Sequence, residues 1–221
     1  MAYKHGVYTS EVPTSVVPAV NTAAGLPVVF GTAPVHLASE RAQSNKPILC
    51  YSYAEAVQQL GYSKDWAKYT LCEVMYSQFA LYNRGPVVFV NVLDPQTHKK
   101  STSSKNVTVT NKVAKVDAPV LLDTLQIKAS TAGSALIAGS DYEAAYDDDG
   151  VLVITLLDDG TATAASNLTL TYDEIDAAAV DADDIIGGIN VSDGSVKGLE
   201  CLNKVFPITG LVPGIVLARL E

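Results

Sequence analysis

Two apolar runs, residues 28–30 in "LPVVFGTAPVH" and residues 87–90 in "PVVFVNVLD", constrain this 221-residue chain more than any other feature. A continuous β-branched and aromatic run leaves no polar face for water, so each predicts a strand covered on both sides. Gly31 and Pro34 end the first run. Ile48, Leu49 and Cys50 predict a further short strand. Two helical patterns lie between these strands. Ser52 with Glu55 three places on is a capping-box signature, and Gly61 is a stop, which predicts a helix over Tyr53–Leu60. Trp66, Tyr69, Cys72, Met75, Tyr76, Phe79 and Tyr82 recur at three- and four-residue steps. That predicts one long helix over residues 66–82 with this stripe turned to a core. Asn83 and Gly85 supply its end, and Pro86 blocks continuation. Apolar strand, helix, apolar strand implies a parallel sheet with helices packed on it.

The texture then changes. "THKKSTSSKN", residues 97–106, is polar and Ser-rich and reads as a linker. From about Val107 to Tyr172 the signals are β: "NVTVT" and "LQIKAS" alternate, and "NLTLTY" supplies a further strand. "VLVITLL" is flanked by Asp149-Gly150 and Asp159-Gly160, a hairpin signal at both ends. Short strands with this punctuation predict a small antiparallel sandwich or barrel. Its solvent face is expected to carry Asp141, Glu143, Asp147, Asp148, Asp149, Asp158 and Asp159.

Helical texture returns with "DEIDAAAVDADDIIGGIN", a short helix ending at Gly187 or Gly188. "GSVKGLECLNKVFPIT" reads as another, with Leu199, Leu202 and Val205 on one side, and "LVPGIVLA" as a closing strand. The fold class is therefore mixed α/β. A partial three-layer α/β unit, residues 26–96 and 185–221, is interrupted by an inserted antiparallel β-sandwich or barrel domain over 97–184. An α/β sheet needs cover on both faces, and no helix follows the last strand, so the α/β unit is expected to be incomplete.

Charge narrows the function. The formal net charge is −9, opposite to the basic face that nucleic-acid phosphates require. Anionic membrane surfaces are disfavoured for the same reason, no apolar run approaches the roughly 20 residues of a membrane helix, and no secretory signal is recognisable. Cys50, Cys72 and Cys201 lie far apart in no motif, which suits core filling in a reducing compartment.

Motifs for chemistry are lacking. His5, His36 and His98 are isolated, with no HExxH or CxxC, so no metal is expected. "DYEAAYDDDG" invites a calcium reading, but position twelve from Asp147 is Asp158, where an EF-hand needs a bidentate Glu, and a strand intervenes. No P-loop, nucleophile elbow or GxGxxG pattern is present, and no carboxylate pair sits in an apolar setting. Neither catalytic residues nor cofactors are expected.

The segment "GVYTSEVPTSVVPAV", residues 6–20, is apolar and β-branched, yet Pro13 and Pro18 remove two donors and bar it from a central strand. Such an arm can add to a neighbouring sheet edge, and could reach up to about 50 Å when extended. Residues 1–25 are accordingly read as an extended arm.

A resemblance follows from these residues. "GVYTSEVPTSVVPAVNTAAGLPVVFGTAPV" resembles the opening of the contractile phage tail sheath family, through Gly6, Val7, Tyr8 and Glu11, then Val29, Gly31, Thr32, Ala33 and Pro34. "SYAEAVQQLGY", "RGPVVFVNVLDP" and "GLECLNKVFPITGLVPGIVLA" are similar to its later segments, in the same order. The resemblance covers roughly residues 6–95 and 195–218. It implies a structural subunit that self-associates into rings and a helical sheath around a tail tube protein, meets baseplate proteins, and contracts to drive the tube through a host envelope. It implies a place in the virion tail, with assembly in the host bacterial cytoplasm. The residues expected to link subunits are Val7, Tyr8, Val12, Val16 and Val17. The family continues past the "GIVLA" strand, so the chain is expected to represent its N-terminal portion. Two other readings compete. A surface adhesion or carbohydrate-binding module would need exposed aromatics near a loop, with Tyr142, Tyr146 and Tyr172 as candidates. An α/β hydrolase would need a nucleophile–His pair, and the sequence supplies none.

Overall fold

A computed structural model describes residues 25–130 and 133–219 of the chain. The two apolar runs form β1 (Pro27–Gly31) and β3 (Val87–Asn91), with β2 (Ile48–Cys50) between them in sequence. Every residue of β3 is buried. β1 lies in the sheet centre, parallel to β3 on one side (Val28 opposite Val88) and to the final strand, Ile215–Ala218, on the other. β2 runs antiparallel to β3, with Leu49 opposite Val88. The expected parallel sheet thus holds for three strands. The fourth lies at the edge, where α/β sheets commonly accept an antiparallel strand.

α1 (Tyr53–Leu60) starts as its sequence requires. The Ser52 hydroxyl accepts the Glu55 amide at 3.2 Å, and the Glu55 carboxylate reaches back to the Tyr51 amide at 2.9 Å. Gly61 ends it with φ +73, a conformation that costs glycine little. The predicted long helix is corrected. α2 covers only Thr70–Met75 and continues as a π turn over Tyr76–Leu81. The Tyr82 amide bonds to the Ser77 carbonyl, five residues back, at 3.0 Å. The extra residue per turn rotates the stripe off the core. Tyr69, Cys72, Met75 and Phe79 are buried, whereas Tyr76 and Tyr82 are exposed. α2 packs close on β1, because a Cβ at Gly31 would come within 2.3 Å of the Thr70 hydroxyl. Thr32 and Thr70 fasten the contact, the Thr70 amide donating to the Thr32 hydroxyl at 3.1 Å.

Six strands follow: β4 (Lys99–Thr108), β5 (Val113–Val116), β6 (Gln126–Lys128), β7 (Tyr142–Tyr146), β8 (Leu152–Leu156) and β9 (Asn167–Ile175). They make two three-stranded antiparallel sheets, ordered β4-β9-β6 and β5-β8-β7. Inward residues of both, among them Val116, Ile127, Ile154, Leu168 and Tyr172, join one apolar cluster. The barrel alternative is corrected: among the described residues the sheets stay separate and each ends in free edges, so none closes. The expected linker at 97–106 is also corrected, since most of it is β4. Its Ser, Thr and Lys side chains point to water while its backbone pairs with β9, from Lys99 opposite Ile175 to Thr108 opposite Asn167. Asp149-Gly150 makes the expected hairpin between β7 and β8, the Asp147 amide donating to the Val151 carbonyl at 3.0 Å. Asp159-Gly160 does not, because β8 and β9 belong to different sheets.

The chain closes with α3 (Ala182–Ile186), the short ladder of β10 (Gly188–Ile189) and β11 (Val196–Lys197), a 3-10 turn over Gly198–Lys204, α4 (Val205–Thr209) and β12 (Ile215–Ala218). α3 ends at Gly187 as the sequence predicts, and Asp181 with Asp184 forms its capping box. Of the expected Leu199, Leu202 and Val205 face, Val205 is buried and Leu202 packs against the core, while Leu199 is left exposed and three residues per turn bring Cys201 inward instead. The molecule is therefore mixed α/β with several small sheets.

Candidate assembly interface

The sheet edges differ in how they meet solvent. A free strand edge is a template for another chain, and proteins guard such edges with charge, bulges or brevity. β4 carries Lys99, Lys100 and Lys105 and shifts register between Thr102 and Lys105. β5 carries Lys115, β6 Lys128 and β7 Glu143, and β2 has three residues. Among the described residues β12 carries neither a charge within the strand nor a bulge. It pairs with β1 alone among the described residues, and Ile215, Val216 and Leu217 are 43–52% exposed.

Local sequence sets this edge. α4 ends at Gly210, whose amide donates to the Phe206 carbonyl at 2.8 Å, and the Leu211 amide donates to the Thr209 hydroxyl at 3.2 Å. The Gly214 amide then donates to the Leu26 carbonyl at 2.9 Å and starts the ladder with β1. The same segment exposes Phe206, Ile208 and Val212. Contiguous exposed apolar side chains of this kind mark association surfaces. The sequence showed the strand but not its exposure, because exposure depends on what packs beside it.

Reactive groups are placed for packing. Burial pushes the Cys50 and Cys72 thiols up to about 12, and that of Cys201 also upward, so none is a ready nucleophile. His36 is buried and lowered to about 3, by burial first and then by Arg41 and Lys68. His98 faces Asp184 at 3.2 Å. Sequence reasoning missed this pair, whose members lie 86 positions apart, as it missed Asp141. Asp141 was expected on the solvent face and is buried. Its carboxylate accepts the Ile137 amide at 2.7 Å and both the amide and hydroxyl of Thr161 at 2.8 Å, which hold its pKa below the usual carboxylate range. Among the described residues no group of three or more His, Cys, Asp or Glu is set to hold a metal ion. No helix of the described residues is long and apolar enough to cross a membrane.

The aromatic candidates for carbohydrate binding are not presented. Tyr142 and Tyr172 are buried, and Tyr146 is half-buried with its hydroxyl donating to the Val120 carbonyl at 2.7 Å. The arm residues Val7, Tyr8, Val12, Val16 and Val17 lie outside the described residues.

Among the described residues, then, the molecule presents an apolar strand edge while His36, His98 and the three thiols are buried. The chain is similar to a tail sheath protein of Burkholderia phage BcepMu, 30% identical over 222 aligned positions that cover 98% of this chain and 43% of that protein. The resemblance drawn from Gly6 to Pro34 and the later segments is borne out by this match. The chain spans less than half the length of that relative. No protein-family model matches the chain, and no solved structure matches it significantly.

Proposed function

We propose that this chain is part of a structural subunit of a contractile phage or phage-like tail sheath, one that polymerises around the tail tube and contracts to drive it through the host envelope. The similarity to a phage tail sheath protein along nearly the whole chain carries this reading, and the exposed apolar β12 edge agrees with it. Subunit linkage is assigned to the arm, residues 1–25, through Val7, Tyr8, Val12, Val16 and Val17. The partners are further copies of the subunit, the tail tube protein and baseplate proteins. The site of action is the virion tail, after assembly in the host bacterial cytoplasm. The work of contraction comes from interfaces that repack between two arrangements of rigid bodies, with no enzyme chemistry and no cofactor.

Within the subunit, residues 26–96 and 185–221 form one discontinuous α/β unit, partly layered in three, and 97–184 form an inserted domain whose two sheets pack as a small sandwich. Charge supports an outward place for the insert. Residues 97–184 hold 15 Asp and Glu against 6 Lys and Arg, a net −9 that equals the charge of the whole chain, so the rest is balanced. A balanced body packs against copies of itself with little repulsion, whereas acidic inserts are favoured apart and in solvent. The test is incorporation: a tagged copy supplied during phage growth should co-purify with tails in many copies per particle. Recovery in heads alone, or in one or two copies per tail, would contradict the proposal.

A further inference from the structure

His98 sits where the chain leaves the four-stranded sheet and where it comes back. The outgoing turn follows β3, and within it the His98 amide donates to the Asp94 carbonyl at 2.7 Å. The returning chain meets this turn directly, the Asp176 amide donating to the His98 carbonyl at 3.0 Å. The imidazole joins the same two segments. Its Nδ1 accepts the Asp94 amide at 2.9 Å, and its Nε2 lies 3.2 Å from Asp184 Oδ2, the oxygen that also accepts the Asp181 amide at the start of α3. The side chain of His98 is about nine-tenths buried.

These partners dictate one protonation form. A backbone N–H can only donate, so Nδ1 must be bare, and Nε2 then carries the single proton and gives it to Asp184. A second proton would have to sit on Nδ1, facing another donor. The carboxylate at the ring is that of Asp184; those of Asp181 and Asp94 belong to the segments the ring joins, and Asp181 Oδ1 is taken by the Asp183 and Asp184 amides. Asp94 Oδ1 already accepts the Gln96 amide at 3.0 Å, and the neighbouring Lys99 is turned away to Asp173 at 2.7 Å. The Asp184 contact survives in either form, so protonation removes one bond, that from the Asp94 amide.

We propose that His98 is a proton-sensitive clasp between the outgoing turn at 94–98 and the returning segment at 176–184, closed when the imidazole is neutral and opened at Asp94 when it is protonated. β4 begins at the next residue, and its first pair is Lys99 with Ile175. Reorientation of the turn therefore acts on the base of the β4–β9 ladder, and through it on how residues 97–184 are held. The clasp stands on this geometry alone and is independent of the sheath reading.

The test is amide hydrogen exchange by NMR on the full chain between pH 8 and pH 5, with the His98 ring signals followed in the same samples. The Asp94 protection factor, corrected for the intrinsic pH dependence of exchange, should fall at least tenfold along the titration curve of the ring. In His98→Gln, whose amide can accept and donate but not titrate, it should stay level. Constant protection while the ring titrates, a ring that does not titrate in this range, or an equal fall in His98→Gln would each overturn the clasp. If His98→Gln does not fold, Asp184→Asn serves instead. It keeps an acceptor for Nε2 and leaves the Asp94 bond in place, so the fall at Asp94 should persist and still follow the ring, and a level Asp94 protection factor while the ring is protonated would overturn the proposal.

Discussion

Val28 and Val216 stand opposite one another in the parallel ladder of β1 and β12, yet Val28 is fully buried and Val216 is 43% exposed. Two valines in one rung thus serve different ends: the first belongs to the core, the second to a surface with no described neighbour.

The fold should therefore tolerate charge at Val216 and not tolerate loss of volume beside Val28. Phe30→Ala removes a fully buried ring from the same strand and should cost about 3–5 kcal/mol. Val216→Lys should change stability by no more than about 0.5 kcal/mol, as for surface sites generally, while lowering any self-association. Urea unfolding and sedimentation of the two variants check both halves.

His36 sets an acid limb on stability. Folding holds the imidazole neutral, its pKa lowered to about 3 by burial, then Arg41 and Lys68, against about 6.5 in the unfolded chain. Below about pH 6.5 the unfolded chain takes up a proton that the folded chain refuses. The stability is full above that pH, is lost as the pH falls, and levels off near 3. One proton gives a slope of up to about 1.4 kcal/mol per pH unit. His36→Phe keeps a ring against Tyr69 and Tyr146 and should flatten this limb in urea unfolding between pH 7.5 and 5. An unchanged slope would show that other groups set it.

Asp141 and Asp148 are close in sequence and opposite in role. Asp141 holds two loops through three accepted hydrogen bonds, whereas Asp148 is exposed in the β7–β8 turn. Asp141→Ala strands the Ile137 and Thr161 amides and should lower the melting temperature by several degrees more than Asp148→Ala. Because the folded pKa of Asp141 is depressed, its contribution is present above the normal carboxylate range and lost as the pH falls below it. The two variants should therefore converge at strongly acid pH. Calorimetry from pH 7 to pH 3 checks the order and the convergence.

What could be read from the sequence was local. The Ser52–Glu55 box, the Asp149-Gly150 turn and the stop at Gly187 each involve residues within a few positions, so their chemistry is written in order along the chain. The two apolar runs were legible because complete burial leaves no alternation to interpret. Only the end of β4, at Val107, was; nothing in Lys99–Lys105 is apolar enough to announce a strand, and only pairing with β9 makes it one. The π turn after Met75 hid behind an intact helical period. At the candidate interface, nothing in the order of residues says why β12 differs from the other edges. That contrast needs all the edges side by side.

Residues 97–176 should fold in isolation. Their apolar cluster draws on both antiparallel sheets, and β4, once counted as a strand, closes the ladder with β9. A polypeptide of that span should melt in one cooperative transition, at a lower temperature than the full chain because Leu121 and Ile175 lose their partners in the other core. A broad, sloping melt would show that the insert depends on the α/β unit.

Gold-labelled antibody against residues 97–184, applied to phage tails before and after contraction and viewed by negative stain, tests the sheath role most directly. Label should decorate the whole tail shaft at regular spacing, and the decorated length should shorten while the bare tube emerges. Label confined to heads, fibres or the baseplate, or a decorated length unchanged by contraction, would contradict it.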